Sequence, residues 1–477
     1  MKSLRHILVV ILAAGATSLA AQDTQRLSEQ EPIGTARYVG MGGAMTAIGA
    51  DPSAVKDNPA GLGLYRRMEV MLSFGNRYDM TRQAGVADWE KTNTPTLSQA
   101  SWAFSFGDPY KDWGLIFNNI MFSYSRLHTY NRSFSASAKG LDHSLADIIC
   151  RNTNGLKETD LQPANRWNNP DIGWLSCQAY DTYLINPIAD GSDQWSTVLL
   201  DGETIDNSLN IREYGYINQY GFDWGMNISN RLYLGAGIRL LSYSYSQTAE
   251  YYEKFSGGGD LLNQTSLTMS GIGVNGSFGI IYRPVECLRL GASIQTPSAS
   301  TLTIGNYGTL SATTDSLRES SSPANSASVS KFRLPMRSSV SIAFQLKQYG
   351  LLSFQYDYAH YKTMNDVHTL RAGIEIVPVS NLFINAGYVY ESQFRDGTDI
   401  VVLSNNDVRT DTYFQNIRNT QYISLGIGYR GRIFMAQAAY QLGMQSTNLY
   451  AHQEASPYDM RSQTHRVVLT IGWHTRN

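Results

Sequence analysis

The chain has 3 Cys and 8 His, the residues most able to bind a metal or act as nucleophiles, and their spacing supports neither role. His143, His360, His368, His452, His465 and His474 show none of the paired spacing that a zinc site uses. No GxSxG element is present. A phospholipase-type surface site needs Ser and His side by side. Ser462 and His465, three apart on a strand, fall on opposite faces. The chain is read as a non-enzyme with no cofactor and no metal. Cys150 and Cys177 share one long connection, and a disulfide between them is open to an exported chain. Cys287, at a turn, reads as a lone thiol.

The charges worth attention are Arg239, Arg283, Asp357, Arg371, Glu375 and Arg430. Each sits opposite an apolar face in a segment that alternates with period two. In 213–228, Tyr214, Tyr216, Tyr220, Phe222, Trp224, Met226 and Ile228 share one face, and Gly215, Gly221, Asp223 and Gly225 the other. An apolar aromatic face backed by a small polar one belongs to a membrane β-barrel, lipid outside and lumen inside. The six charges then face the lumen and pair with one another or with whatever fills it. A carboxylate substrate would also want an Arg there.

Fourteen such segments can be counted: 68–76, 99–107, 113–130, 213–228, 231–246, 267–283, 287–298, 337–347, 350–361, 368–377, 381–391, 420–430, 432–445 and 463–474. Short connections alternate with long ones. That is the rhythm of a barrel with tight periplasmic turns and long outer loops, and a β-sandwich has no reason to show it. The expected fold is all-β: a 14-stranded transmembrane antiparallel barrel with both termini in the periplasm. Tyr243, Tyr245, Tyr356, Tyr358, Tyr388, Tyr390 and Tyr440 are expected in interfacial girdles.

Composition agrees. The 477 residues carry a net charge of −2, with 16% charged residues, 30 Tyr and 41 Gly. Near-neutral charge argues against a nucleic-acid surface. A mean hydropathy of −0.27 excludes a helical membrane bundle. Lys2 and Arg5 precede an apolar run, with small residues at Ser18, Ala20 and Ala21, so residues 1–20 read as a signal peptide. Its removal takes two positive charges from a net −2, leaving the mature chain near −4. Residues 67–477 form the barrel, with a large outer insert at about 131–212. That insert contains an amphipathic stretch at 141–150 and exposed-looking Trp167, Trp174 and Trp195. The serine-rich 311–330 reads as a mobile outer loop.

Residues 21–66 do not alternate. They are rich in small residues, with a short helix expected near 52–56, and they suit a plug folded into the barrel mouth. Gly40, Gly42 and Gly43 lack the Gly-Lys-Ser/Thr ending of a phosphate-binding loop. The run GTARYVGMGGAMTAIGADPSAVKDNPAGL, from Gly34 to Leu62, resembles the plug of the FadL/TodX family of outer-membrane transporters for long-chain fatty acids and hydrophobic compounds. Gly42, Gly43, Asn58, Pro59, Ala60 and Gly61 carry the motif. LGASIQTPS, LPMRSSVSIAFQL, GLLSFQYDYAHY and LRAGIEIVPVSNLFINAGYVY extend the likeness, which fails in 131–212. The resemblance implies a hatch inside a fourteen-stranded barrel and a hydrophobic small molecule that leaves sideways at a kinked third strand.

The apolar parity of that strand switches at Asn118-Asn119, which calls for a bulge. The bulge reads either as an ordinary one or as a lateral opening. Passive uptake of hydrophobic molecules by a monomer in outer-membrane lipid is the leading expectation. The alternative, also implied by resemblance, is a plug-bearing barrel that acts as scaffold or shuttle in type IX-like protein secretion or at the cell surface. A general porin is disfavoured by the plug.

Overall fold

The computed structural model describes residues 23, 26–29, 31–164, 166–314, 317–323, 326–361, 365–392 and 409–475. The expected signal peptide lies outside them. Fourteen antiparallel strands close into one barrel: β1 (Glu69–Gln83), β2 (Glu90–Gly107), β3 (Leu115–Thr129, continued by Arg132–Leu141), β4 (Ile205–Ile228), β5 (Leu232–Phe255), β6 (Asp260–Val285), β7 (Leu288–Gln295, continued by Ala299–Thr314), β8 (Ser326–Phe332, continued by Met336–Gln345), β9 (Gly350–His360), β10 (Val367–Val379), β11 (Leu382–Glu391), β12 (Phe414–Arg430), β13 (Phe434–Tyr450) and β14 (Tyr458–His474). β1 closes the ring against β14, Glu69 opposite His474. The barrel thus begins and ends at the rim that carries the tight turns.

Every segment expected from alternation is a strand. The outward parity is apolar and open, with Ile238 62% and Ile272 63% exposed. A closed barrel with such a belt is stable in hydrocarbon, because closure leaves few backbone groups unpaired. Among the described residues no helix is long and apolar enough to cross a membrane.

The expected long outer loops are largely strand. β4, β5 and β6 have 24, 24 and 26 residues, far beyond the roughly 10 that span a bilayer. Above the membrane both strand faces are polar or packed, so the alternation that marks a strand in lipid fades there. The serine-rich stretch is likewise corrected: it contains Leu317–Ser321, which pairs with β7, and the start of β8. Tyr243 and Tyr245 are not girdle residues. They share parity with Arg239, face inward and are buried. Tyr356, Tyr388 and Tyr440 do face outward.

The insert folds as a cap. It contains α3 (Leu145–Thr153), α4 (Glu158–Leu161), α5 (Trp174–Asp181) and a small ribbon of Ile185–Pro187 with Trp195–Thr197. These follow two short helices of the N-terminal segment, α1 (Ala36–Gly40) and α2 (Pro52–Asp57). Ser144 and Asp147 form a capping box that starts α3. Leu145, Ile149, Leu184 and Trp195 join inward residues of the wall, among them Leu209, Tyr251 and Leu310, in one apolar core. Trp174 and Trp195, expected to be exposed, are buried. Cys150 and Cys177 are also buried and are free thiols, so the disulfide is not formed. They act as small hydrophobes in the core. Burial pushes the Cys177 thiol up to about 12.

Candidate transport path

Residues 31–65 pack against inward-facing residues of the wall, and nearly all of them are buried. Thr35 caps α1 (Ala36–Gly40), and Asp51 caps α2 (Pro52–Asp57). The two caps are tied together, Thr35 Oγ1 donating to Asp51 Oδ2 at 2.7 Å. Asn58 ends α2 and caps a 3-10 turn, Pro59–Leu64, with Pro59 in the first turn where its missing N–H costs nothing. The Asn58 amide donates to Thr46 O at 2.8 Å and reaches the wall at Ile280 O, 3.3 Å away.

Gly42 and Gly43 have φ of +62° and +72°, a region that suits glycine. A Cβ on Gly61 would come within 2.9 Å of Gly49 Cα. Ala60 is fully buried. On the wall, a Cβ at Gly279 would strike Asn58, and one at Gly235 would strike Pro59. The motif and the glycine face of the barrel fit each other by omission of side chains.

Charges tether the segment as well. Arg37 binds Glu375 through two hydrogen bonds. Arg239 pairs with Asp223 on the neighbouring strand and donates to Val55 O and Lys56 O at 3.2 and 3.3 Å. Arg371 pairs with Asp357 at 2.6 Å and donates to Tyr38 Oη. Glu31 binds both Arg77 and Arg466. Arg283 and Arg430 differ: neither has an ion pair among the described residues, and Arg430 stands 5.7 Å over the Phe383 ring. Among the described residues no group of three or more His, Cys, Asp or Glu could hold a metal.

The third strand corrects the expected opening at Asn118-Asn119. Both residues are in continuous register, with Phe106 and Ser105 on one side and Met226 and Gly225 on the other. Asn118 faces out and accepts from Trp224 Nε1. Asn119 faces in and donates to Leu62 O and Tyr65 O, both at 2.8 Å. The register slips instead at Ile116 and at Leu127. The parity switch in the sequence belongs to the first slip. It was displaced because Phe117 is buried rather than facing lipid.

The second slip opens a seam. β2 pairs with β3 only from Gln99 to Gly107, so residues 90–98 have no partner on that side. Opposite them Leu127, His128, Thr129 and Tyr130 are all buried, because the strand turns inward. Glu31 N donates to Leu127 O there, and Arg77 reaches Thr129 O. Pro95 sits in the unpaired stretch, where a residue without N–H is tolerated. Thr129 is in register with Tyr216, an outward aromatic of β4, so the seam lies toward the cap-bearing rim. Farther along, β3 bridges back to the first hairpin through Gln83, whose side chain bonds Ser137 N and O at 2.9 Å each. The start of β8 is also paired on one side, but it stands beyond the end of β9, whose last residue pairs with Met336. Two signals for the seam were in the sequence: Pro95, and the loss of alternation over 127–130.

Behind the seam lies a small polar cavity of about 40 Å³, lined by Glu29, Glu31, Arg77, Asp79, His128 and Arg132 among others. A second cavity of about 360 Å³ lies at the tight-turn rim, between residues 48–50 and the ends of β7 to β10 and β12.

No protein-family model matches the chain, and no curated protein matches its sequence. Solved structures do. The Pseudomonas putida toluene transporter TodX superimposes with a TM-score of 0.55 at 12% identity, over 94% of this chain and 99% of that one. The Ralstonia pickettii toluene transporter TbuX gives 0.52 at 11%, over 93% and 99%. A Pseudomonas aeruginosa FadL homologue gives 0.51 at 11%, over 93% and 98%. The chain therefore has the fold of the FadL/TodX channels, a closed barrel of fourteen antiparallel strands.

Proposed function

We propose that this protein is a passive outer-membrane transporter of hydrophobic small molecules, with the tight-turn rim in the periplasm and residues 31–65 as its plug. The observation that carries this reading is the seam between β2 and the inward-turned β3. It is a break in the wall at the edge of the apolar belt, backed by the plug at Glu31. Because the cap occupies the outer mouth, the seam offers an apolar molecule a sideways route that avoids crossing polar loops. Toluene and fatty acids are the natural first ligands to try, since the channels of like fold include toluene transporters and a FadL homologue.

Deleting Leu127, the residue the register skips, would straighten β3 against β2. In a strain lacking the protein, the native gene should restore uptake of toluene or a long-chain fatty acid, and the deletion variant should not. Normal uptake of every such compound by the strain without the protein would overturn the proposal.

A second reading is favoured by the cap and by the charged chamber behind the seam, which offers no apolar pocket. In it the barrel is a scaffold or shuttle for exported proteins and the cap is the partner surface. Exported proteins that co-purify with the native chain, and are lost when the cap is removed, would support that role.

A further inference from the structure

The wall is low along β9, β10 and β11. These strands have 11, 13 and 10 residues, close to the length that spans hydrocarbon when tilted. Elsewhere in the ring β4 to β6 continue far above the membrane. Lipid head groups therefore meet the far ends of β9 and β10 directly. Those ends carry a cluster of outward side chains. Tyr356 Oη lies 2.7 Å from His368 Nδ1, and their rings stack. Tyr358 is in register with His368, packs its ring at 5.5 Å and donates to Asp366. The other Asp366 oxygen lies 2.9 Å from Nδ1 of His360, whose side chain is half exposed.

Below this cluster, toward the tight turns, an apolar groove of about 640 Å³ runs over the outer face of β8 to β11. Ala372 is its floor, in register with Phe354 on one side and Tyr388 on the other, and both of those rings are exposed. Tyr356 and Leu370 carry the groove up to His368. In hydrocarbon such a groove gains nothing by expelling water, so it can order an acyl chain but cannot choose among lipids. The choice falls to the head. A phosphate head wants Arg or Lys, and the described residues of the cluster include neither. A sugar fits better. Its C–H face stacks on aromatic rings, and its hydroxyls both donate and accept beside Tyr, His and Asp.

We propose that this face binds an outer-leaflet glycolipid, with one acyl chain in the Ala372 groove and the sugar on Tyr358, His360 and His368. The assignment to the outer leaflet rests on the orientation in the transport reading, with the tight-turn rim in the periplasm. β9 and β10 lie half the ring away from β2 and β3, so the bound lipid leaves the seam clear.

The test uses the purified full-length protein in phosphatidylcholine nanodiscs doped equally with galactosyl diacylglycerol, phosphatidylglycerol and diacylglycerol of the same tails. Native mass spectrometry counts the lipid that stays bound. The galactolipid should be retained about fivefold over the other two. Ala372→Phe fills the groove with a ring that lipid tolerates, and H360A/H368A removes the rings that hold the sugar. Each should bring the galactolipid down to the level of the others, with heat-modifiable gel migration checking that the barrel is folded. Equal retention of the three lipids by the native protein, retention led by phosphatidylglycerol, or a preference unchanged in both variants overturns the site. A membrane-impermeant maleimide on intact cells checks the orientation separately, because exposed Cys287 stands at the tight-turn rim and should stay unlabelled. Labelling there would overturn the choice of leaflet, whereas a lost galactolipid preference with Cys287 protected overturns the site alone.

Discussion

Arg37 of the N-terminal segment and Glu375 of β10 share two parallel hydrogen bonds, Nε to Oε2 at 2.6 Å and Nη2 to Oε1 at 2.9 Å, and both side chains are buried. The pair joins the N-terminal segment to a wall strand 338 residues away in sequence. Removing one partner strands a charge in a poorly solvated place, at a cost of about 3–5 kcal/mol. That cost falls on docking of the N-terminal segment, because the strand ladder that holds the barrel does not involve it. Glu375→Ala should therefore raise ion conductance in a planar bilayer while leaving heat-modifiable migration unchanged. Glu375→Gln, which keeps one acceptor, should do so less. Conductance equal to the native level would show that the pair does not hold the plug in place.

The glycine face of the wall makes a separate prediction. Gly235 and Gly279 leave no room for a side chain against Pro59 and Asn58. Valine at either position should expel the 3-10 turn rather than break the barrel, since outward neighbours and backbone pairing are untouched. Asn58→Ala should be milder. It removes a cap worth about 1 kcal/mol together with the bond to Thr46 O. Limited proteolysis within 31–65 should be fastest for the valine variants and intermediate for Asn58→Ala. Equal rates in all three would contradict the fit described for the motif.

At the seam, backbone amides of residues 90–98 that point toward β3 have no ladder partner, whereas those pointing toward β1 do. Hydrogen exchange should therefore alternate along 90–98 and be uniformly slow along 99–107. Deletion of Leu127 should extend slow exchange into the upper stretch. A native β2 protected along its whole length would mean that the wall is closed in solution.

The strand count was legible because lipid on one side and lumen on the other force a period of two, and 213–228 shows it over most of β4. The tight packing of the N-terminal segment was legible from Asn58 to Gly61, where each residue has a geometric duty: a cap, a first-turn proline, a fully buried alanine and a close approach. What could not be read was anything set by partners across the fold. Asn119 looked like the edge of an opening but tethers Leu62 and Tyr65. Tyr243 and Tyr245 looked interfacial until their parity was matched to Arg239. The strand extensions above the membrane carry no lipid-driven pattern, so 131–212 and 311–330 read as loops.

The thiols offer a chemical check on the cap. Cys150 and Cys177 are buried and unbonded, and Cys287 is exposed. Burial raises the Cys150 thiol pKa and pushes that of Cys177 up to about 12, so little reactive thiolate is present at neutral pH. Maleimide should label the folded protein once, at Cys287, and the unfolded, unreduced protein three times. A single label after unfolding without reductant would reveal a Cys150–Cys177 bond and force the helices of the cap to repack.

Acid should loosen the cap through His452. This side chain sits in the connection between β13 and β14 with no solvent exposure. The Tyr251 ring lies 6.0 Å away and the Glu253 carboxyl 4.0 Å away. Burial, the largest influence, lowers its pKa from 6.5 to about 4 and outweighs the opposing pull of Glu454. The neutral ring is thus the form the folded cap accepts. A detached cap takes up the proton once pH falls below about 6.5, whereas the docked one resists until about 4. Docking is therefore at full strength above pH 6.5 and weakens steadily between 6.5 and 4, by on the order of 3 kcal/mol in all. Protease cleavage within 142–204 should accordingly be faster at pH 4.5 than at pH 7, using an enzyme active at both. His452→Leu fills the same space without a proton to gain, so it should remove most of that difference. A variant with the native pH dependence would assign the effect to Glu253 and the Arg151–Glu454 pair at the cap's edge instead.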